Sequence, residues 1–125
     1  MKLVLSAAMT FILSVAFCQS WVIVPLDHEM PYKNQWKKTY YYVAKNYGVE
    51  VFSENDGYIW SGRKQISSTK WYELEILFSE TRETIEFRYI KITQDPKKGL
   101  TYSSNNSTVN TIRMDLMGLL GRVIR

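Results

Sequence analysis

Residues 71–93 read WYELEILFSETRETIEFRYIKIT. Two runs of alternating apolar and polar residues, Trp71–Ser79 and Thr84–Thr93, flank a polar turn at Ser79–Glu83. A period of two places alternate side chains on opposite sides of a strand, so the segment predicts an antiparallel hairpin. With Thr81 and Arg82 at the tip, Phe78 faces Ile85, Ile76 faces Phe87 and Leu74 faces Tyr89. These pairs share one side, which must be the core side, because a slip of one residue would turn them all to water. On the other side Glu75 meets Arg88, a cross-strand charge pair worth about 0.2–1 kcal/mol. Ile90 and Ile92 have the parity of Arg88, and Trp71 and Leu77 share their face. Either a bulge shifts the register there, or the second face turns apolar towards its end.

Upstream, Val49–Glu54 and Tyr58–Arg63 predict two more strands around Asn55-Asp56-Gly57. Asp-Gly accepts the positive φ angles of a tight hairpin. Gly62 inside the second run suggests a bulge or a close packing point. Gln65–Lys70, with Ser67, Ser68 and Thr69, reads as a polar connection. Trp21–Leu26 is a short β-branched run, and Pro25, which lacks a ladder donor, assigns it to a sheet edge.

Two segments have helical spacing instead. Tyr32, Trp36, Thr39, Tyr40, Val43 and Tyr47 recur every three or four residues, while Lys33, Lys37, Lys38 and Lys45 fall largely off that stripe. Pro31 suits a first turn, Asn34 is a second candidate start, and Gly48 suits the C-terminal cap. Asp95-Pro96-Lys97-Lys98-Gly99 ends the sheet, and Ser103–Thr108 is a polar loop rich in capping residues. From Ser107 or Thr108 a last helix carries Val109, Ile112, Leu116, Leu119, Leu120 and Val123 on one stripe, with Arg122 and Arg125 near its end, where the helix dipole favours cations. Gly118 and Gly121 weaken this helix and suggest close packing on the sheet. Asn105 and Asn106 each open an N-x-[ST] pattern, for which cap and loop chemistry is the simpler account. The order β-α-β-β-β-β-α predicts an α+β two-layer sandwich, an antiparallel sheet with both helices on one face.

The first residues have a separate purpose. Lys2 precedes an uncharged apolar run from Leu3 to Phe17, too short for a membrane span and typical of an export signal. Residues 1–18 read as a signal peptide, with cleavage before Gln19 preferred over cleavage after Ser20. Lipidation of Cys18 is disfavoured by the large Phe17 before it. Residues 19–125 then form a single domain, periplasmic or secreted, with no membrane span after signal removal.

The 125 residues carry 16 basic and 12 acidic side chains, a formal charge of +4 that falls to +3 when Lys2 is removed. That mild, mixed charge and the export signal argue against nucleic acid. One Cys and one His give little basis for a disulfide framework, a zinc site or a Cys/His nucleophile. Asp27-His28-Glu29 places three candidate ligands side by side, where they cannot easily point at one ion. Glu73 and Glu75 lie about 7 Å apart on one strand face by strand rise, a carboxylate pair better read as salt-bridged surface. Phosphate-loop, GxSxG, HExxH and EF-hand patterns are missing. No cofactor, metal or catalytic residue is expected, and the chain reads as a non-enzyme.

The Trp36 helix, the run Glu54-Asn55-Asp56-Gly57-Tyr58-Ile59-Trp60-Ser61-Gly62, and the strand pair Tyr72–Ile76 with Phe87–Ile90 resemble small exported bacterial domains of the Bacteroidetes type with a TATA-binding-protein-like fold. Over residues 21–95 this resemblance implies a fold and a location, and brings no catalytic residues. One departure is that Asp56 directly precedes Gly57, where such domains space the two apart. Two functions remain open. In the first, the sheet face away from the helices, around Trp60, Trp71, Arg88 and Ile90, meets a protein partner. In the second, a cavity between helices and sheet, lined by Tyr40, Val43, Phe78 and Phe87, holds a small ligand.

Overall fold

The computed structural model describes residues 21–121. The segment read as an export signal, and the end of the last helix with Arg122, Val123 and Arg125, lie outside the described residues. The elements run β1 (Val22–Pro25), α1 (Tyr32–Asn46), β2 (Val51–Ser53), β3 (Tyr58–Trp60), β4 (Lys64–Ser67), β5 (Lys70–Phe78), β6 (Thr84–Asp95), β7 (Gly99–Ser103) and α2 (Asn106–Leu120).

The β5–β6 hairpin is the centre of a seven-stranded antiparallel sheet, open rather than closed. Its register runs without interruption from Lys70 opposite Thr93 to Phe78 opposite Ile85, pairing Leu74 with Tyr89, Ile76 with Phe87 and Glu75 with Arg88. The parity change at Ile90 and Ile92 therefore involves no bulge between these strands; both side chains lie on the second face. Arg82 at the tip has φ +61°, held by its guanidinium, which donates to the Asn55 and Ser79 carbonyls and lies 4.1 Å over the Tyr32 ring.

β6 is longer than any one neighbour. β1 pairs with its first part, Thr84–Phe87, and β7 with its last part, Lys91–Asp95. β5 is shared likewise, between β3 at Glu75–Leu77 and β4 at Lys70–Tyr72. Both β4 and β7 correct the sequence reading, which left Gln65–Lys70 and the residues after Gly99 as connections. Neither has a strong apolar pattern. They are strands because the ends of β5 and β6 present rows of backbone donors and acceptors that need partners.

Gly62 sits at the break between β3 and β4 with φ +78°, and a Cβ there would stand 2.0 Å from Glu50 Oε2, so the glycine both turns the chain and admits Glu50. The β2–β3 connection is longer than the tight hairpin expected: Ser53 pairs with Tyr58, leaving four residues between, and only Gly57 has positive φ, at +66°. Gly57 also has a tertiary purpose. Its carbonyl accepts from the Phe78 amide at 2.8 Å, and a Cβ would lie 2.7 Å from Phe78 Cβ.

Both helices bury their apolar stripes on one side of the sheet. Trp36 and Val43 of α1 and Ile112, Leu116 and Leu120 of α2 form one cluster with Val24, Ile59, Leu74, Ile76, Phe78, Ile85, Phe87 and Tyr89. Gln35 joins the buried face of α1, its amide donating to the Asp27 carbonyl at 3.1 Å. α2 is capped by Asn105, whose side chain accepts from the Thr108 amide at 3.2 Å, and starts at Asn106, one or two residues before the expected start. Gly118 does not serve close packing, since the space its Cβ would fill is open.

Candidate functional site

On the face away from the helices, alternation brings polar and aromatic side chains into one layer. Tyr58 and Trp60 from β3, Trp71, Glu73 and Glu75 from β5, and Arg88, Ile90 and Ile92 from β6 share it, with Trp21 just before β1. At its centre Arg88 Nη2 donates to Glu75 Oε1 at 2.8 Å, and the Tyr58 hydroxyl donates to Glu75 Oε2 at 2.5 Å. Arg88 and Glu75 are each about 5 % exposed as side chains, and the guanidinium carbon lies 5.0 Å over the Trp21 ring. Arg88 Nε and Nη1 are buried and have no hydrogen-bond partner among the described residues.

Burial pushes the Glu75 carboxyl above its ordinary value, opposed by the Tyr58 hydrogen bond and the Arg88 charge. Burial also lowers the Arg88 guanidinium, opposed by Glu75, and raises the Tyr58 hydroxyl, which the Glu75 charge raises further. Guanidinium is basic enough to keep its proton throughout, so the pair holds a fixed cation whose carboxylate partner is destabilised by loss of water.

Glu73 forms a second, more open cluster. It accepts from Trp60 Nε1 at 3.2 Å and from Arg63 Nε at 3.0 Å. The two carboxylates are thus engaged separately, each with its own cation and aromatic donor. Asp27, beside His28, accepts from the Glu29 amide at 3.0 Å.

The four residues singled out from the sequence fall on this face in two environments. Trp60 and Trp71 are half-buried, whereas Arg88 and Ile90 are buried. Trp60 and Arg88 flank Glu75 across adjacent strands, and Ile90 lies opposite Glu73. Trp71 stands nearer the far end, opposite Ile92, which also pairs with Tyr102 of β7. The rim adds residues that sequence reasoning missed. Ile23 (59 % exposed), Val51 and Leu100 are exposed apolar side chains whose registers put them on the same face. Alternation within Trp21–Leu26 held the signal for Ile23; Leu100 had none without β7.

Of the residues named for an internal cavity, Val43, Phe78 and Phe87 lie in the packed core, and the Tyr40 ring packs against Trp36 and Phe52. A groove of about 590 Å³ opens elsewhere, between α1 and α2, and none of these four residues lines it.

The fold and this face define an α+β two-layer protein with an aromatic-rimmed sheet surface built around a buried ion pair. The chain matches no family model, no curated protein and no solved structure. Among the described residues no helix is long and apolar enough to cross a membrane.

Proposed function

We propose that the chain is an exported, non-catalytic interaction domain of the periplasm or cell surface, which receives a protein partner on the sheet face away from its helices. The observation that carries this reading is Arg88. It is almost wholly buried, yet two of its donors have no partner among the described residues, and accessible Trp60, Trp71, Ile23, Val51 and Leu100 are distributed over the same face. Buried donors without acceptors cost free energy, and an acceptor brought by a partner restores it once the Trp21 ring over the guanidinium moves aside. Aromatic and Arg side chains around a desolvated centre are the composition that carries protein–protein affinity. Trp60 and Trp71 are the proposed accessible contacts, Arg88 is the buried donor a partner's acceptor would reach, and Ile90 lies buried on the same face, with residues 1–18 as the signal that exports the domain. The resemblance of residues 21–95 to exported TATA-binding-protein-like domains accords with this and supplies no catalytic group.

The engaged states of Glu73 and Glu75 also favour binding over catalysis, because each carboxylate is already committed to a cation and an aromatic donor. The test is affinity capture from envelope extract with wild type, Trp71→Ala and Arg88→Lys. Arg88→Lys keeps the charge and removes the planar fork. The expected result is a partner recovered by wild type and lost with both variants. Equal recovery of every bound protein by all three overturns the reading.

A further inference from the structure

The outer surface of the helical layer has a different chemistry from the sheet face. α1 holds four lysines, Lys33, Lys37, Lys38 and Lys45, and no Asp or Glu in its 15 residues. None of the four forms an ion pair with a described residue. Their spacing explains the arrangement. Gln35, Trp36, Thr39 and Val43 face the core, so Lys37, Tyr41 and Lys45, one turn apart, run along the opposite side with Lys38 beside them. Tyr41 is 71 % exposed at the centre of this surface. The groove of about 590 Å³ lies next to it, lined by Lys37, Lys38, Lys45, Tyr41, Tyr42 and, from α2, Leu119. The nearby carboxylate on α2, Asp115, accepts from the Tyr42 hydroxyl at 2.7 Å.

We infer that this surface docks on an anionic phospholipid membrane, with Lys37, Lys38 and Lys45 meeting headgroup phosphates and the Tyr41 ring entering the interface. Three features of the site match an amphiphile. Cations stand around the groove, apolar carbon from Leu119 and the tyrosine rings lines it, and Tyr places an apolar ring and a polar tip at one boundary. Lysine contributes to such docking as a mobile point charge, which suits a fluid array of phosphates better than a fixed bidentate acceptor. The surface is spanned by helices, so no unpaired strand edge is brought to the lipid. It lies on the opposite side of the molecule from Trp60 and Trp71, and docking therefore leaves the sheet face free.

The experiment is co-sedimentation of the full chain with vesicles of phosphatidylcholine alone and with vesicles that also contain phosphatidylglycerol, at low and high salt. The apolar residues before Gln19 are present in every variant, so the readout is the difference between variants on the anionic vesicles. Each lysine near an anionic surface is worth about fivefold in partitioning, so Lys37→Gln/Lys38→Gln/Lys45→Gln is expected to weaken binding about 100-fold. Tyr41→Ser is expected to lower it severalfold, Trp71→Ala to leave it unchanged, and high salt to reduce the wild type towards the triple variant. Circular dichroism of each variant confirms that these exposed substitutions leave the fold intact. The inference is overturned by unchanged partitioning of a folded triple variant. It is also overturned if the difference between wild type and the triple variant is insensitive to salt, by lysine-dependent binding of inorganic phosphate as tight as that of vesicles, or by equally tight lysine-dependent binding of a single-stranded oligonucleotide.

Discussion

On one side of the β5–β6 hairpin, Leu74, Ile76, Phe78, Ile85, Phe87 and Tyr89 are buried under two helices. On the other, one residue along each strand, Glu75 and Arg88 are buried to the same depth as a charged pair. The first side gains from removing apolar area from water, a term that needs no partner geometry and grows with every methylene. The second side must recover the desolvation of two ions through two short hydrogen bonds and an aromatic face, and two guanidinium donors find no partner among the described residues. Alternation along a strand therefore puts stability on one face and chemical specificity on the other, within a single pair of strands.

Truncation on the helix side should have the largest effect. Phe87→Ala empties a fully buried site in the core between sheet and helices and is expected to cost about 3–5 kcal/mol in denaturant unfolding. A loss below 1 kcal/mol would show that the helices do not pack there as tightly as described. Breaking the charged pair comes next. Arg88→Met leaves a buried carboxylate held only by Tyr58 and should cost about 3 kcal/mol, whereas Arg88→Met/Glu75→Leu should restore stability to near wild type or above it. If the double variant is no more stable than the single one, the pair contributes more than its desolvation cost and the contrast between the faces fails.

A smaller effect is expected from acid titration. Glu75 is held above its ordinary value of 4.5 by burial, so the folded state keeps a proton that the unfolded chain has already released. The stability contributed by this proton is complete below the unfolded value and is lost as pH rises through the folded one. Glu75→Gln should flatten this part of the curve of Tm against pH. An unchanged slope would assign it to another group. The smallest effect belongs to the rim: Ile23→Thr and Leu100→Thr, on exposed side chains, should change stability by no more than about 0.5 kcal/mol while weakening capture of a partner.

The central hairpin was legible in detail. Its pairs, its core face and the Glu75–Arg88 contact follow from period-two alternation and the placement of Thr81 and Arg82 at the turn, because register in a half-buried hairpin is set by which side can be apolar. The α+β class and the burial of both helices on one face were legible for the same reason, each helix having one apolar stripe. β4 and β7 were not. Lys64–Ser67 and Gly99–Ser103 are strands because β5 and β6 outrun β3 and β1, a fact about neighbours that no local pattern contains. Gly57 was readable as a turn residue, but its approach to Phe78, which joins the two hairpins, was not.

The candidate surfaces divide in the same way. Composition and spacing alone placed Trp60, Trp71, Arg88 and Ile90 on one sheet face and the α1 lysines largely off the aromatic stripe, since side-chain direction follows from backbone period. Tertiary structure decided that Arg88 and Ile90 would be buried while Trp60 and Trp71 stayed accessible. It also brought Tyr58 and Trp21 to Arg88 and Glu75, and set Leu119 of α2 beside the lysines of α1. Period is a property of neighbouring residues in the chain. Burial and partnership depend on which distant segments close over them, and here those were strands of unequal length and helices meeting across a groove.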